Sequence, residues 1–277
     1  MECVLDNITF HYEVCGEGTP ILIMHSYSLD HRSTMAYMEP VFADKPGYRR
    51  IYLDLPGMGA TKGEAWMQSS DDMLQTVCQF IDRVIPEGQF LLVGESYGGY
   101  MAQGIIYQKP DRVAGVALVC PMVQPDIAQR ERAAHVVLSQ DQPFLASIPE
   151  GEDKDTFMRL CVVQDRPTWE RFERDILPGA RLYDSAFTNR IRQRFGCSFD
   201  VRTLPTPFAQ PALILLGRQD SLAGYRDQLQ ILEQYPRSSF AILDRAGHQL
   251  ALEQQRLLTE LMSEWLRRVE ENRESRS

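Results

Sequence analysis

The sequence predicts an α/β protein: a mostly parallel, twisted sheet flanked by helices, with a helical cap inserted late in the chain. Three observations point there. Continuous apolar runs at 20–24, 90–93, 113–120 and 212–216, with a shorter one closing 49–53, read as strands covered on both faces, and 239–243 reads as a further strand. Amphipathic stretches lie between most of them, so strands and helices alternate as a parallel sheet requires. The alternation lapses between Pro121 and Pro205, where charged, helix-prone segments broken at Pro143, Pro149, Pro167 and Pro178-Gly179 carry no buried-strand run. The expected organisation is a core of residues 1–120 and 206–277, with a cap at 121–205 inserted after the sixth strand.

Taken in order, residues 8–14 alternate β-formers with polar residues and read as a half-exposed antiparallel strand, with His11 on its surface, closed by Gly16-Glu17-Gly18. The run at 20–24 ends in His25-Ser26-Tyr27-Ser28. A helix is expected at 33–42, and the strand at 49–53 ends in Asp54-Leu55-Pro56-Gly57-Met58-Gly59. Ser69-Ser70-Asp71-Asp72 reads as a helix start, followed by Met73, Leu74, Val77, Phe80, Ile81 and Val84 at helical spacing, and Pro86-Glu87-Gly88 stops it. The strand at 90–93 leads into a helix over 97–108, which Lys109-Pro110-Asp111 ends. Leu204-Pro205-Thr206-Pro207 reads as the return linker. Beyond it come a helix at 225–235 between the last two strands and a final amphipathic helix at 250–269, with Trp265 and Leu266 on its apolar face. The tail at 270–277 is expected to fray.

Composition bounds the function. The 277 residues are 44% hydrophobic and 24% charged with a net charge of -9, so a polyanion meets general repulsion and nucleic acid is excluded as a partner. The six cysteines are scattered, none in C-x-x-C, and read as reduced core thiols of a cytoplasmic protein. No signal peptide or run long enough to span a membrane is legible. No G-x-G-x-x-G loop, P-loop or metal-spaced His/Cys cluster is present, so no cofactor and no metal are expected. The partner expected is a small-molecule substrate, with the chain a monomer or homodimer and no membrane or nucleic-acid contact.

The chemistry concentrates at strand ends. Gly94-Glu95-Ser96-Tyr97-Gly98 spells G-x-S-x-G between a buried strand and a helix. A serine there sits on a very tight turn, so the positions two before and two after it need residues without a Cβ. Serine at neutral pH is a poor nucleophile and needs a neutral imidazole to take its proton. Gly217-Arg218-Gln219-Asp220 follows one late strand and Ala246-Gly247-His248 follows the last. The order Ser96, Asp220, His248 suits nucleophile, orienting acid and general base on three strand ends. Asp227 and Asp244 are weaker candidates for the acid, because Asp227 falls within the next helix and Asp244 belongs to its own strand end.

With the His25-Ser26-Tyr27 loop, Asp54-x-Pro56-Gly57-x-Gly59, Gly94-x-Ser96-x-Gly98-Gly99, Gly217-x-x-Asp220 and Gly247-His248 in view, the chain resembles the α/β-hydrolase fold family with a helical cap, over nearly its whole length. That resemblance implies a serine hydrolase acting on an ester, amide or related bond. The family usually has His-Gly at the first loop, whereas this chain has His25-Ser26, which puts a Cβ and a hydroxyl close to the oxyanion hole. By position, the oxyanion donors are the backbone N–H groups of Tyr27 and Tyr97. Substrate-pocket candidates are His25, Ser26, Glu95, Met122, Phe144 and Trp169, although the cap aromatics equally suit the cap's own core. Three functions are compatible: a cofactor-independent carboxylic-ester hydrolase working through an acyl-serine, an aminopeptidase similar to proline iminopeptidases, with acidic cap residues and Pro167-Thr168-Trp169-Glu170 holding a substrate amine, and a catalytically quiet small-ligand receptor on the same fold.

Overall fold

Ten strands and ten α-helices make up the computed structural model, which describes residues 1–275. The strands are β1 (Glu2–Val4), β2 (Thr9–Cys15), β3 (Thr19–Met24), β4 (Tyr48–Leu53), β5 (Phe90–Glu95), β6 (Val113–Val119), β7 (Ser139–Gln140), β8 (Val163–Gln164), β9 (Ala212–Gly217) and β10 (Ser238–Leu243). The helices are α1 (His31–Met38), α2 (Ser70–Val84), α3 (Tyr97–Gln108), α4 (Gln142–Ser147), α5 (Glu152–Leu160), α6 (Arg166–Arg171), α7 (Leu177–Ala180), α8 (Ser185–Arg192), α9 (Leu250–Glu253) and α10 (Gln255–Glu274). Eight strands form one sheet in the order β1-β2-β4-β3-β5-β6-β9-β10. Pairs involving β1 and β2 are antiparallel, and every pair from β4 to β10 is parallel.

The continuous apolar runs of β3, β5, β6 and β9 are buried on both faces because successive side chains point to opposite sides, whereas β10, at the sheet edge, is half-buried throughout. Leu22, Leu92, Val116 and Ile214 join α2 and α3 in one core, through Met73, Leu74, Val77, Met101 and Ile105. Their neighbours Ile21, Leu91, Ala117 and Leu213 join α1 and α10 in the other, through Tyr37, Met38, Leu258, Met262 and Trp265. Each large side chain so buried contributes about 1.5–3 kcal/mol. The predicted start of α2 is a capping box: the Ser69 hydroxyl accepts from the Asp72 N–H while the Asp72 carboxylate accepts from the Ser69 N–H.

Between β6 and β9 lie α4 to α8 and the two-stranded β7–β8 pair. This segment has a core of its own, where Phe144, Leu145, Phe157, Trp169, Phe172 and Ile176 are buried together with Leu29 and Leu252 from the sheet side. The structure adds β1 and the short β7–β8 pair, which two- and three-residue strands leave no periodicity to predict. The expected helix at 225–235 is a 3₁₀-helix over Asp227–Gln234. The expected helix at 250–269 is broken at Gln254, where φ is -130°. Its second part runs on to Glu274, so the expected fraying from 270 does not hold through 274; residues 276–277 lie outside the described residues. No helix among the described residues is long and apolar enough to cross a membrane. The cysteines are all free thiols.

Candidate active site

The turn after β5 forces Ser96 into a positive φ of 52° with ψ of -109°, at the N-cap of α3. A non-glycine residue there is strained by about 1–3 kcal/mol, and the surroundings hold it. The Ser96 N–H donates to Val119 O at 3.0 Å, and its carbonyl accepts from the Tyr100 and Met122 N–H groups at 3.0 Å each. The demand for small neighbours is literal. A Cβ on Gly94 would lie 2.4 Å from Gly98 O, and one on Gly98 would lie 2.3 Å from Met24 O.

The loops after β9 and β10 bring Asp220 and His248 to the same edge. His248 Nε2 lies 2.9 Å from Ser96 Oγ, and its Nδ1 lies 2.8 Å from Asp220 Oδ2. The other carboxylate oxygen of Asp220 accepts from the Leu222 and Ala223 N–H groups at 2.8 and 2.9 Å, so the acid is fixed before it meets the imidazole. Asp220 is fully buried and His248 nearly so. A carboxylate on Nδ1 keeps the proton there and leaves Nε2 as acceptor for the serine hydroxyl. Burial by itself lowers the pKa of His248, but the charge and hydrogen bond of Asp220, with the charge of Glu95 added, outweigh it and raise the pKa above its ordinary value. The rival acids lie elsewhere: Asp227 accepts from the Glu131 N–H, and Asp244 pairs with Gln219.

Ser96 and His248 face a cavity of about 920 Å³ whose wall also includes Ser26, Tyr27, Tyr97 and Met122. As the first residue of α3, Tyr97 has an N–H with no intrahelical acceptor. The Tyr97 hydroxyl is 2.8 Å from that of Ser70, and the Tyr27 hydroxyl donates to Thr188 O at 2.6 Å. Of the remaining pocket candidates, His25 is fully buried behind the wall. Its Nε2 accepts from the Leu55 N–H at 3.0 Å and its Nδ1 donates to Ser26 O at 2.7 Å, which ties the β3 loop to the β4 loop. Phe144 and Trp169 are in the core of the 121–205 segment rather than on the cavity wall. Glu95 is also buried, and burial raises its pKa to about 7 against the opposing effects of His248 and Ser26.

The family model described as Hydrolase_4, serine aminopeptidase S33, matches residues 21–255. The chain belongs to that family. The AB hydrolase superfamily protein YclE of Bacillus subtilis is 25% identical, covering 95% of this chain and 97% of its own. A pimeloyl-[acyl-carrier protein] methyl ester esterase of Legionella pneumophila is 20% identical, covering 94% of this chain and all (100%) of its own. Among solved structures, an α/β superfamily hydrolase from Oenococcus oeni PSU-1 superposes with a TM-score of 0.88 at 30% identity, covering 98% of this chain and 99% of the other.

Three features of this α/β-hydrolase lie beyond what its sequence discloses. Asp54 is fully buried and accepts from His31 Nδ1 at 2.8 Å, His11 Nδ1 at 3.0 Å, and the His31 and Ala60 N–H groups at 2.9 Å each. His11 is therefore part of a strut beneath the site loops and not simply a surface residue. Glu253 reaches the loop that carries His248. Arg130 lies on the cavity wall. None of these has a spacing rule, since each depends on at least one contact between segments far apart in sequence.

Proposed function

We propose that this α/β-hydrolase is a cofactor-independent serine esterase that cleaves a small carboxylic ester through an acyl-serine intermediate. One observation carries the reading: the unbroken relay from Ser96 Oγ through His248 to Asp220, at 2.9 and 2.8 Å, on the wall of a cavity of substrate size. Ser96 Oγ attacks the carbonyl carbon while His248 Nε2 accepts its proton. Negative charge then develops on the carbonyl oxygen, and the Tyr27 and Tyr97 N–H groups are the donors assigned to it. One such donor is worth about 10²–10³ in turnover. Collapse of the intermediate breaks the ester C–O bond, and the imidazolium returns the proton to the departing alcohol. Water, deprotonated by the same imidazole, then attacks the acyl-serine and releases the acid. Asp220 holds the imidazole in the required tautomer and stabilises its charged form. The segment 121–205 acts as a cap that limits water at the reacting bond.

A second reading is cleavage of an amide beside a free amine, which the description of the matching family favours. A panel of p-nitrophenyl acyl esters and proline arylamides separates the two. The esterase reading expects turnover of the esters that disappears in Ser96→Ala. Turnover of the amides alone replaces it with the aminopeptidase, and ester turnover unchanged in Ser96→Ala leaves a ligand receptor with adventitious activity.

A further inference from the structure

The cavity has an unusual charge for a chain of net charge -9. Four arginines line it, Arg130, Arg159, Arg192 and Arg194, against two carboxylates, Asp126 and Glu152. The Asp126 carboxylate is occupied with its own turn, accepting from the Ala128 N–H at 2.9 Å and from Gln129 Nε2 at 2.8 Å. Elsewhere arginines close on acids, as Arg32 does on Asp30, Arg50 on Glu39 and Arg202 on Asp200. Among the described residues, none of the four cavity arginines is in an ion pair.

Arg130 is the most constrained of them. It is half-buried, and its guanidinium donates only to neutral acceptors: Gln124 O at 2.7 Å, Leu222 O at 3.2 Å, Pro125 O at 3.2 Å and Met122 Sδ at 2.9 Å. Those contacts fix its orientation without cancelling its charge. Burial lowers its pKa and the charge of Arg132 lowers it further, as does that of Arg192, while the charges of Asp220 and Asp227, the first engaged by His248 and the second by the Glu131 N–H, oppose them without prevailing. Arg192 ends α8 with its guanidinium carbon 5.2 Å from the centre of the Tyr27 ring, beside the loop assigned to the oxyanion. A half-buried guanidinium that touches no carboxylate and is repelled by neighbouring arginines is unfavourable, and a bound anion relieves that. A smaller cavity of about 480 Å³ shares Arg130, Arg159, Leu160 and Leu222 with the first and adds Arg132 and His135, so a basic cleft adjoins the site.

We infer that the ester cleaved here is anionic, carrying a carboxylate or phosphate a few bonds from the scissile carbonyl that Arg130 and Arg192 hold inside the cavity. A guanidinium suits either oxyanion: Arg130 offers its charge and the one Nη1 N–H left beyond the four already donated, and Arg192 adds a second guanidinium. The inference rests on the esterase reading above and adds its substrate class. It also separates the cavity from an amine-binding one, since a substrate ammonium would meet the same arginines.

The test compares kcat/KM for matched pairs: monomethyl glutarate with methyl pentanoate, and acetylated glycerol 3-phosphate with glyceryl monoacetate. The expected result is a preference of at least about tenfold for the anionic member of one pair, and the pair identifies the oxyanion. Arg130→Gln lowers that anionic-to-neutral ratio by about tenfold and Arg192→Gln, at an exposed position, by about threefold; Arg130→Lys keeps the charge but loses the contacts that orient it and falls between. Rising ionic strength lowers the ratio as well. Arg256→Gln, on the surface of α10, leaves it unchanged. Because Arg192 is exposed, its variant still decides the matter if Arg130→Gln fails to fold. Ser96-dependent turnover with no anionic preference in either pair, or with a ratio that neither Arg130→Gln nor Arg192→Gln alters, overturns this inference alone. No Ser96-dependent turnover of any ester, neutral p-nitrophenyl esters included, overturns the esterase reading beneath it.

Discussion

Glu253 holds the loop of the candidate base through Gly247: its Oε2 accepts the Gly247 N–H at 2.6 Å, one residue before His248. Its Oε1 accepts the Val162 and Val163 N–H groups at 2.6 and 3.2 Å, so one carboxylate joins the last sheet loop to the 121–205 segment. Burial nevertheless raises its pKa to about 7, outweighing the three N–H donors. Glu253→Ala leaves three backbone donors without this acceptor. The expected cost is about 2–4 kcal/mol in urea unfolding, with a fall in kcat larger than any change in KM because the imidazole is less well placed. Wild-type kcat in a folded Glu253→Ala protein would contradict the positioning role.

Ser96→Ala and His248→Ala are each expected to abolish ester hydrolysis. Asp220→Asn keeps an oxygen for the Leu222 and Ala223 N–H groups but presents the wrong group to the imidazole. A loss of about 10⁴ in kcat with a circular dichroism spectrum like that of wild type is therefore expected. Retention of more than a tenth of the activity would remove Asp220 from the relay.

Activity requires neutral His248, so kcat/KM is expected to rise with pH through a value above the ordinary histidine pKa of 6.5. The Glu95 charge is one reason that value is raised, and Glu95 itself titrates at about 7, so the acid limb belongs to the pair. Removing the charge with Glu95→Gln shifts the limb to lower pH. A pH–rate profile of the variant that superimposes on wild type would show that Glu95 does not couple to the base.

Asp54 is a buried charge satisfied by two imidazoles and two backbone donors. Asp54→Asn is expected to cost about 3–5 kcal/mol at neutral pH, measured by urea denaturation. Burial pushes the Asp54 carboxyl up, but the His31 hydrogen bond and the charges of His25 and His31 prevail and hold it well below its ordinary 3.8. A depressed carboxylate contributes stability that is present above its unfolded pKa and lost as pH falls through the folded one. The gap between wild type and variant therefore narrows below about pH 3.8. Equal stabilities at pH 7 would contradict the strut.

The sheet was legible because its strands are buried on both faces, so 20–24, 90–93, 113–119 and 212–216 carry unbroken apolar runs. The tight turn at Ser96 was legible because it restricts neighbouring residue types, and the close approaches at Gly94 and Gly98 are the physical form of that restriction; His248 was proposed from its place after the last strand. Phe144 and Trp169 were not placed by their sequence pattern. An aromatic residue in a helical segment can face a cavity or its own segment's core, and the choice depends on packing among distant elements. Glu253 and Arg130 were illegible for a related reason, since nearly all their partners are backbone groups that any residue could supply.

The most direct measurement is labelling of the folded protein with a fluorophosphonate, followed by peptide mapping. A single adduct on Ser96 Oγ is expected, formed in wild type, slowed at least about a hundredfold in His248→Ala and absent from Ser96→Ala. A wild-type protein that stays unlabelled while folded, or that carries the adduct on another residue, would contradict it.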